Sequence, residues 1–289
     1  MSLSFLSECK EKVLNRIDSL LPDTNKIISS MRYSALADSK CIRAGLIFAS
    51  GKLNNEISNS ALIDMATSIE LMHTYSLIHD DLPSMDNDHI RRGQPTSHIK
   101  FNEATAILTG DALQALAYET IVSSSAINQV QKISSIAALT KACGHQGMIL
   151  GQQYDLDAED GNYDNIQKIH ELKTGKLIQV AMTMPHLGIE QQSNQLIVLD
   201  QIGKDLGLAF QIMDDVLEAS SDSNTLGKSN QSDLLNKKLT YVSVFGKQDS
   251  ANQAKTLSNA CIEKLESSFN KQEAADLIEL AKFMVTRKS

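Results

Sequence analysis

A chain of 289 residues, 42% apolar and only 4% aromatic, can bury a large core as a single domain over 1–289, and no stretch reads as a linker that forces two. The formal net charge of −8, without any run of lysines, argues against a nucleic-acid partner, because a phosphate backbone needs a basic face. No segment reaches membrane-span length, Met1 to Lys10 lacks the apolar core of a secretion signal, and Cys9, Cys41, Cys143 and Cys261 lack metal-ligand spacing. The expectation is a cytoplasmic protein with buried, reduced thiols and no membrane insertion.

Prolines occur only at Pro22, Pro83, Pro95 and Pro185, and abundant Ala, Leu, Ile, Gln and Lys favour an all-α fold. Leu3, Leu6, Val13, Leu14, Ile17, Leu20 and Leu21 recur at helical spacing until Pro22-Asp23, predicting an amphipathic helix over 3–21. Lys40 and Arg43 stand three apart at what reads as a helix start, so one face would carry both. They are either an ordinary exposed pair or two cations sharing an anion.

Residues 61–81 give the strongest helical pattern, apolar on several sides and therefore central. His73, Ser76 and Asp80 share one of its faces, with His73 a core histidine or a ligand. Pro83 disfavours helix at Leu82, so the helix should stop near Asp81 and a loop should bring Asp86 back to the same place. Helices are predicted over 101–122 and 134–157, the latter with Gly144, Gly147 and Gly151 on a face that a neighbouring backbone or a ligand approaches closely. Gln152 to Asp157 is polar and could face a wet cavity. Lys173-Thr174-Gly175 lacks the upstream glycine of a phosphate-binding P-loop. Leu206 to Ile212 runs into Asp214-Asp215, with Glu218 one turn on, and 251–289 reads as terminal helices.

Two apolar helices thus each end in clustered carboxylates, a placement that strands charge unless something neutralises it. Oxygen-only donors suit a hard cation such as magnesium, which is commonly shared between carboxylates and substrate phosphates. A glycosidase would need single carboxyls on opposite sides of a bond, not doublets accompanied by arginines.

Six motifs in order then give the chain, over nearly its whole length, a resemblance to the short-chain trans-isoprenyl diphosphate synthases, most of all the bacterial farnesyl diphosphate synthases. They are Asp80 to Asp86; Arg91-Arg92-Gly93 with Pro95-Thr96; Gly110-Asp111-Ala112-Leu113-Gln114; Gly147-Met148 with Gly151-Gln152; Lys173-Thr174-Gly175; and Phe210 to Asp215. The chain departs from the family pattern in three places. Asp38-Ser39-Lys40-Cys41-Ile42-Arg43-Ala44 stands where relatives have Gly-Gly-Lys-Arg-x-Arg-Pro, Glu218 replaces an aspartate, and Ser221 replaces a glycine.

The resemblance implies an all-helical bundle around a deep central cavity, a homodimer, and a magnesium-dependent condensation of isopentenyl diphosphate with dimethylallyl or geranyl diphosphate to farnesyl diphosphate. It implies three magnesium ions on Asp80, Asp86 and Asp214, with Asp81 and Asp215 beside them. The allylic diphosphate would meet Arg91, Lys173, Lys228 and Lys238, with Thr174 and Gln211 near the allylic cation. Lys40, Arg43, His73 and Arg92 would take isopentenyl diphosphate. Tyr75, five residues before Asp80, and its neighbour Ser76 would set chain length. The alternatives are a geranyl or geranylgeranyl diphosphate synthase, and a non-catalytic prenyl-diphosphate-binding subunit.

Overall fold

The computed structural model describes residues 4–54, 56–162, 164–189, 193–225 and 239–287, and among these the secondary structure is helical apart from one two-residue hairpin. The chain divides into two compact units. The first comprises 1–136 with 184–188, the second 137–183 with 189–289.

In the first unit, α1 (Ser4–Leu20), α2 (Lys26–Ala35), α3 (Ile42–Gly51) and α4 (Asn59–Asp80) lead into a hairpin, β1 (Ile90–Arg91) and β2 (Gln94–Pro95). Then come α5 (Ser97–Lys100), α6 (Glu103–Val122) and α7 (Gln129–Cys143), which runs on into the second unit. As its all-round apolar pattern predicts, α4 is the centre of this unit, packing on α6, α3 and α1. Met65, Ala66, Ile69, Leu71 and Met72 are fully buried, each larger side chain worth about 1.5–3 kcal/mol. Two of its buried polar groups are paired with neighbouring helices: Asp64 accepts from Arg16 Nε at 2.9 Å and Ser68 Oγ donates to Ala117 O at 2.7 Å. Ser58 caps the helix by accepting the Ala61 amide.

The helix predicted over 134–157 is two helices, α7 and α8 (Met148–Glu159). The break falls at Gly144–Gly147, where a Cβ on Gly147 would lie 1.9 Å from the Ala142 carbonyl oxygen. The second unit continues with α9 (Ile166–His170), a π-helical turn (Glu171–Gly175), α10 (Lys176–Thr183), α11 (Ser193–Thr225), α12 (Tyr241–Phe245), α13 (Lys247–Ser268) and α14 (Ala275–Thr286). Leu208, Ala209, Ile212, Met213 and Val216 of α11 form its core with Ile166, Ile169, Tyr241, Ala254 and Val285. The apolar helix that carries Asp214, Asp215 and Glu218 runs past that cluster, to Thr225. All four cysteines are buried thiols and none is in a disulfide. Among the described residues no helix is long and apolar enough to cross a membrane.

Candidate active site

In the first unit the C-terminus of α4 carries the site. Asp80 is its last residue, Pro83 is exposed in the loop that follows, and the Asp86 amide donates to the Asp80 carbonyl at 2.9 Å. The loop therefore folds Asp86 back on Asp80, as the proline predicted, and both carboxylates stay half-buried. Asp81 differs: it is 3% exposed and accepts from Arg91 Nε at 2.5 Å, while Arg91 Nη2 reaches Asp88 at 3.0 Å. Burial pushes the Asp81 carboxyl up to about 6, a larger effect than the opposing pull of Arg91. A cleft opens beside Asp81, Arg91 and Arg92, bounded by Tyr33 and Thr74.

The hairpin that presents the arginines pairs Arg91 with Gln94 and turns on Arg92-Gly93, both with positive φ, 54° and 76°. Such a two-residue turn asks for left-handed backbone at both positions, and Arg92 adopts it at some cost where glycine adopts it freely. The charge of Arg92 then acts on Glu70 and His73 of α4, as does that of Arg43 from the first turn of α3. Burial holds the His73 imidazole well below its ordinary range, and Arg43, Arg92 and Arg91 add to the effect, so the ring is neutral. Lys40 does not share a helix face with Arg43. It lies exposed in the loop before α3, separated from it by Cys41, whose φ of 48° turns the chain at the N-cap.

Tyr75 is 5% exposed and meets the His79 ring edge-on at 5.5 Å, while Ser76 Oγ donates to the His73 carbonyl at 2.8 Å. His79 in turn packs on α6 at Gly110, where a Cβ would come within 2.1 Å of the imidazole. That contact accounts for the glycine of the Gly110 motif.

In the second unit the Lys173-Thr174-Gly175 segment is wound as the π-turn, a wider helical turn that often marks a functional site. It is gripped between two glycines: a Cβ on Gly151 would lie 2.2 Å from Lys173 N, and one on Gly207 would lie 2.8 Å from Gly175 Cα. Lys173 Nζ donates to buried Asp155 of the polar run 152–157 at 2.7 Å. Thr174 Oγ1 donates to Gln211 Oε1 at 2.7 Å, and Gln211 Nε2 donates to Asp215 Oδ1 at 3.3 Å. Asp215, 5% exposed, also accepts the Tyr241 amide at 2.7 Å and pairs with His170 Nε2 at 2.9 Å. Asp214, one residue earlier, is half-buried and paired with Arg287, whose guanidinium stacks on Phe210 at 3.9 Å. Lys228 and Lys238 lie outside the described residues, as does the side chain of Ser221.

The two aspartate pairs follow one rule. The second member, Asp81 or Asp215, is buried and engaged by protein donors, and the first, Asp80 or Asp214, is the more accessible. Among the described residues no three His, Cys, Asp or Glu side chains form a ready metal cage. Magnesium does not need one, since one or two carboxylates with waters and substrate phosphates suffice. Asp80 and Asp86, oxygen donors joined through a single backbone hydrogen bond and open to solvent, fit that description. Sequence reasoning missed Asp155, His170 and Arg287, which hold Lys173, Asp215 and Asp214.

A family model described as polyprenyl synthetase matches residues 24–278. The chain is similar to the farnesyl diphosphate synthase of Escherichia coli (strain K12), 40% identical over 85% of this chain and 84% of that protein. It is also similar to the geranylgeranyl diphosphate synthase of Cyanophora paradoxa, 38% identical over 99% of this chain and 96% of the other. The fold is similar to the crystal structure of an FPP/GFPP synthase from Zymomonas mobilis, with a TM-score of 0.87, 33% identity, and coverage of 97% and 98% of the two chains.

Proposed function

Since the chain belongs to the polyprenyl synthetase family, we propose that it is a prenyltransferase joining isopentenyl diphosphate to dimethylallyl and then geranyl diphosphate, with farnesyl diphosphate as product. The observation that carries this reading is the loop closure at the end of α4, which brings Asp86 to Asp80 as a pair of oxygen donors next to the Arg91-Arg92 hairpin. Asp80, Asp86 and Asp214 would hold magnesium, three ions in all; when bound, magnesium neutralises charge on the departing allylic diphosphate.

The chain's own residues account for the rest. Arg91 and Lys173 are fixed in place by Asp81 and Asp155, so their charges meet the allylic diphosphate without reorganisation. Lys228 and Lys238 would join them. Thr174 donates a hydrogen bond to Gln211, so its hydroxyl lone pairs would stabilise the cation formed as the allylic C–O bond breaks. The π electrons of isopentenyl diphosphate then form the new C–C bond, and the released diphosphate takes up the proton whose loss restores the double bond. Lys40, Arg43 and Arg92, with neutral His73 as a donor or acceptor, would hold the isopentenyl diphosphate tail, and this placement turns a bimolecular step into an intramolecular one. Tyr75, with Ser76 beside it, would close the floor of the chain pocket.

A homodimer is part of the proposal, supported by apolar side chains exposed on α6 and α7, namely Ile107, Leu108, Val122, Val130 and Ile133. A cytoplasmic site of action fits four buried thiols outside any disulfide. The test is incubation of purified protein with magnesium, labelled isopentenyl diphosphate and dimethylallyl diphosphate, with chromatography of the product. A fifteen-carbon diphosphate is expected. A twenty-carbon product would reassign the length, and no product would leave a binding subunit.

A further inference from the structure

Glu70 has no part in the mechanism above, yet it is a carboxylate 5% exposed in the middle of α4, between Ile69 and Leu71 at 0%. A buried acid in that position needs partners. Its Oε1 accepts the Ala44 amide of α3 at 2.9 Å; burial pushes its carboxyl above the ordinary range, and the Ala44 bond and the charges of Arg43 and Arg92 oppose that effect and favour the carboxylate. The Ala44 bond is unusual for its place. Residue 41, the N-cap of α3, is a cysteine in left-handed conformation that makes no side-chain capping bond, so the amides of the first turn lack the usual local acceptor. Glu70 supplies it from another helix, 26 residues along the chain. The chain also has alanine at 44 where the family pattern has proline, and a proline there would have no N–H to donate.

We infer that Glu70 is a positioning residue for the isopentenyl diphosphate subsite: it caps the start of α3, which carries Arg43, and supplies the buried counter-charge that gathers Arg43 and Arg92. This rests on the subsite reading given above. His73, on the same helix, lies within the field of the same two arginines.

The test compares Glu70→Ala and Glu70→Gln with the wild type. Separate KM values are measured for isopentenyl and dimethylallyl diphosphate, isopentenyl diphosphate binding is followed by calorimetry, and melting is followed by circular dichroism. Glu70→Ala should raise the isopentenyl KM roughly tenfold, the scale set by a displaced binding group, with the allylic KM and saturated turnover within about twofold. Glu70→Gln, which keeps an acceptor for Ala44 and loses the charge, should fall between. If Glu70→Ala does not fold, Glu70→Gln alone decides, by a raised isopentenyl KM with an unchanged allylic one. Wild-type isopentenyl KM in both variants, or equal loss for both substrates together with lowered melting, would overturn the inference and leave the prenyltransferase reading intact. A wild-type protein that neither binds isopentenyl diphosphate nor forms product would overturn that reading first.

Discussion

Gly151→Ala adds one methyl group at the place where α8 grips the Lys173-Thr174-Gly175 turn. The new Cβ would lie 2.2 Å from Lys173 N and 2.7 Å from Lys173 Cα, against ordinary contact at 3.4 Å and beyond. Both obstacles are backbone, so α8 and the turn must part by about 1.2 Å at the tightest point. Forcing a methyl into a filled interface costs about 1–3 kcal/mol of stability. A shift of this size in the turn also moves Lys173 and the Thr174–Gln211 hydrogen bond, and a misplacement of about 1 Å costs on the order of a hundredfold in rate. Urea denaturation would give the stability loss and steady-state kinetics the fall in turnover, with the isopentenyl KM nearly constant because its proposed ligands lie in the other unit. A Gly151→Ala protein with wild-type turnover would refute the claim that this close approach positions the chemistry.

Three further perturbations probe other parts of the account. Asp80→Asn and Asp214→Asn should each lower turnover by about 10²–10³, the scale of one lost electrostatic group, and raise the magnesium concentration for half-maximal activity; an unchanged magnesium dependence would remove that residue from the metal set. Tyr75→Ala should lengthen the product beyond fifteen carbons and cost about 3 kcal/mol by deleting a buried ring; an unchanged product profile by chromatography would remove Tyr75 from the pocket floor. His73, whose folded-state pKa is depressed, binds a proton more readily in the unfolded chain. Its contribution to stability is therefore complete above the ordinary histidine range and lost as pH falls through it. Denaturation midpoints should decline below about pH 6.5 with a slope of up to about 1.4 kcal/mol per pH unit from this group, and His73→Gln should blunt the decline. Equal slopes in the two proteins would show that the ring titrates normally.

Where the sequence was informative, the cause was local. Pro83 stops α4 because of its own ring, and the return of Asp86 to Asp80 spans six residues, so helix end and loop closure could be read together. The apolar pattern on several sides of 61–81 likewise announced a central helix. Where glycines cluster, the same kind of reading held for close approach and failed for the length of the helix. Gly144, Gly147 and Gly151 suggested close approach along one long helix, whereas Gly147 breaks it and Gly151 makes the close contact. Lys40 and Arg43 have helical spacing, but a left-handed Cys41 between them was not legible from residue type, since only glycine advertises that conformation. Glu70, His170 and Arg287 were invisible for a different reason: their partners Ala44, Asp215 and Asp214 are 26, 45 and 73 residues away, and no periodicity encodes such pairings.

The central claim is that the chain joins isopentenyl diphosphate to an allylic diphosphate with release of diphosphate. It is tested most directly by following diphosphate release from purified protein given dimethylallyl diphosphate alone, isopentenyl diphosphate alone, or both, with and without magnesium. Rapid release is predicted only with both substrates and magnesium present, in equal amount to the C–C bonds formed. Release at the same rate from dimethylallyl diphosphate alone, or none under any condition, would contradict the account.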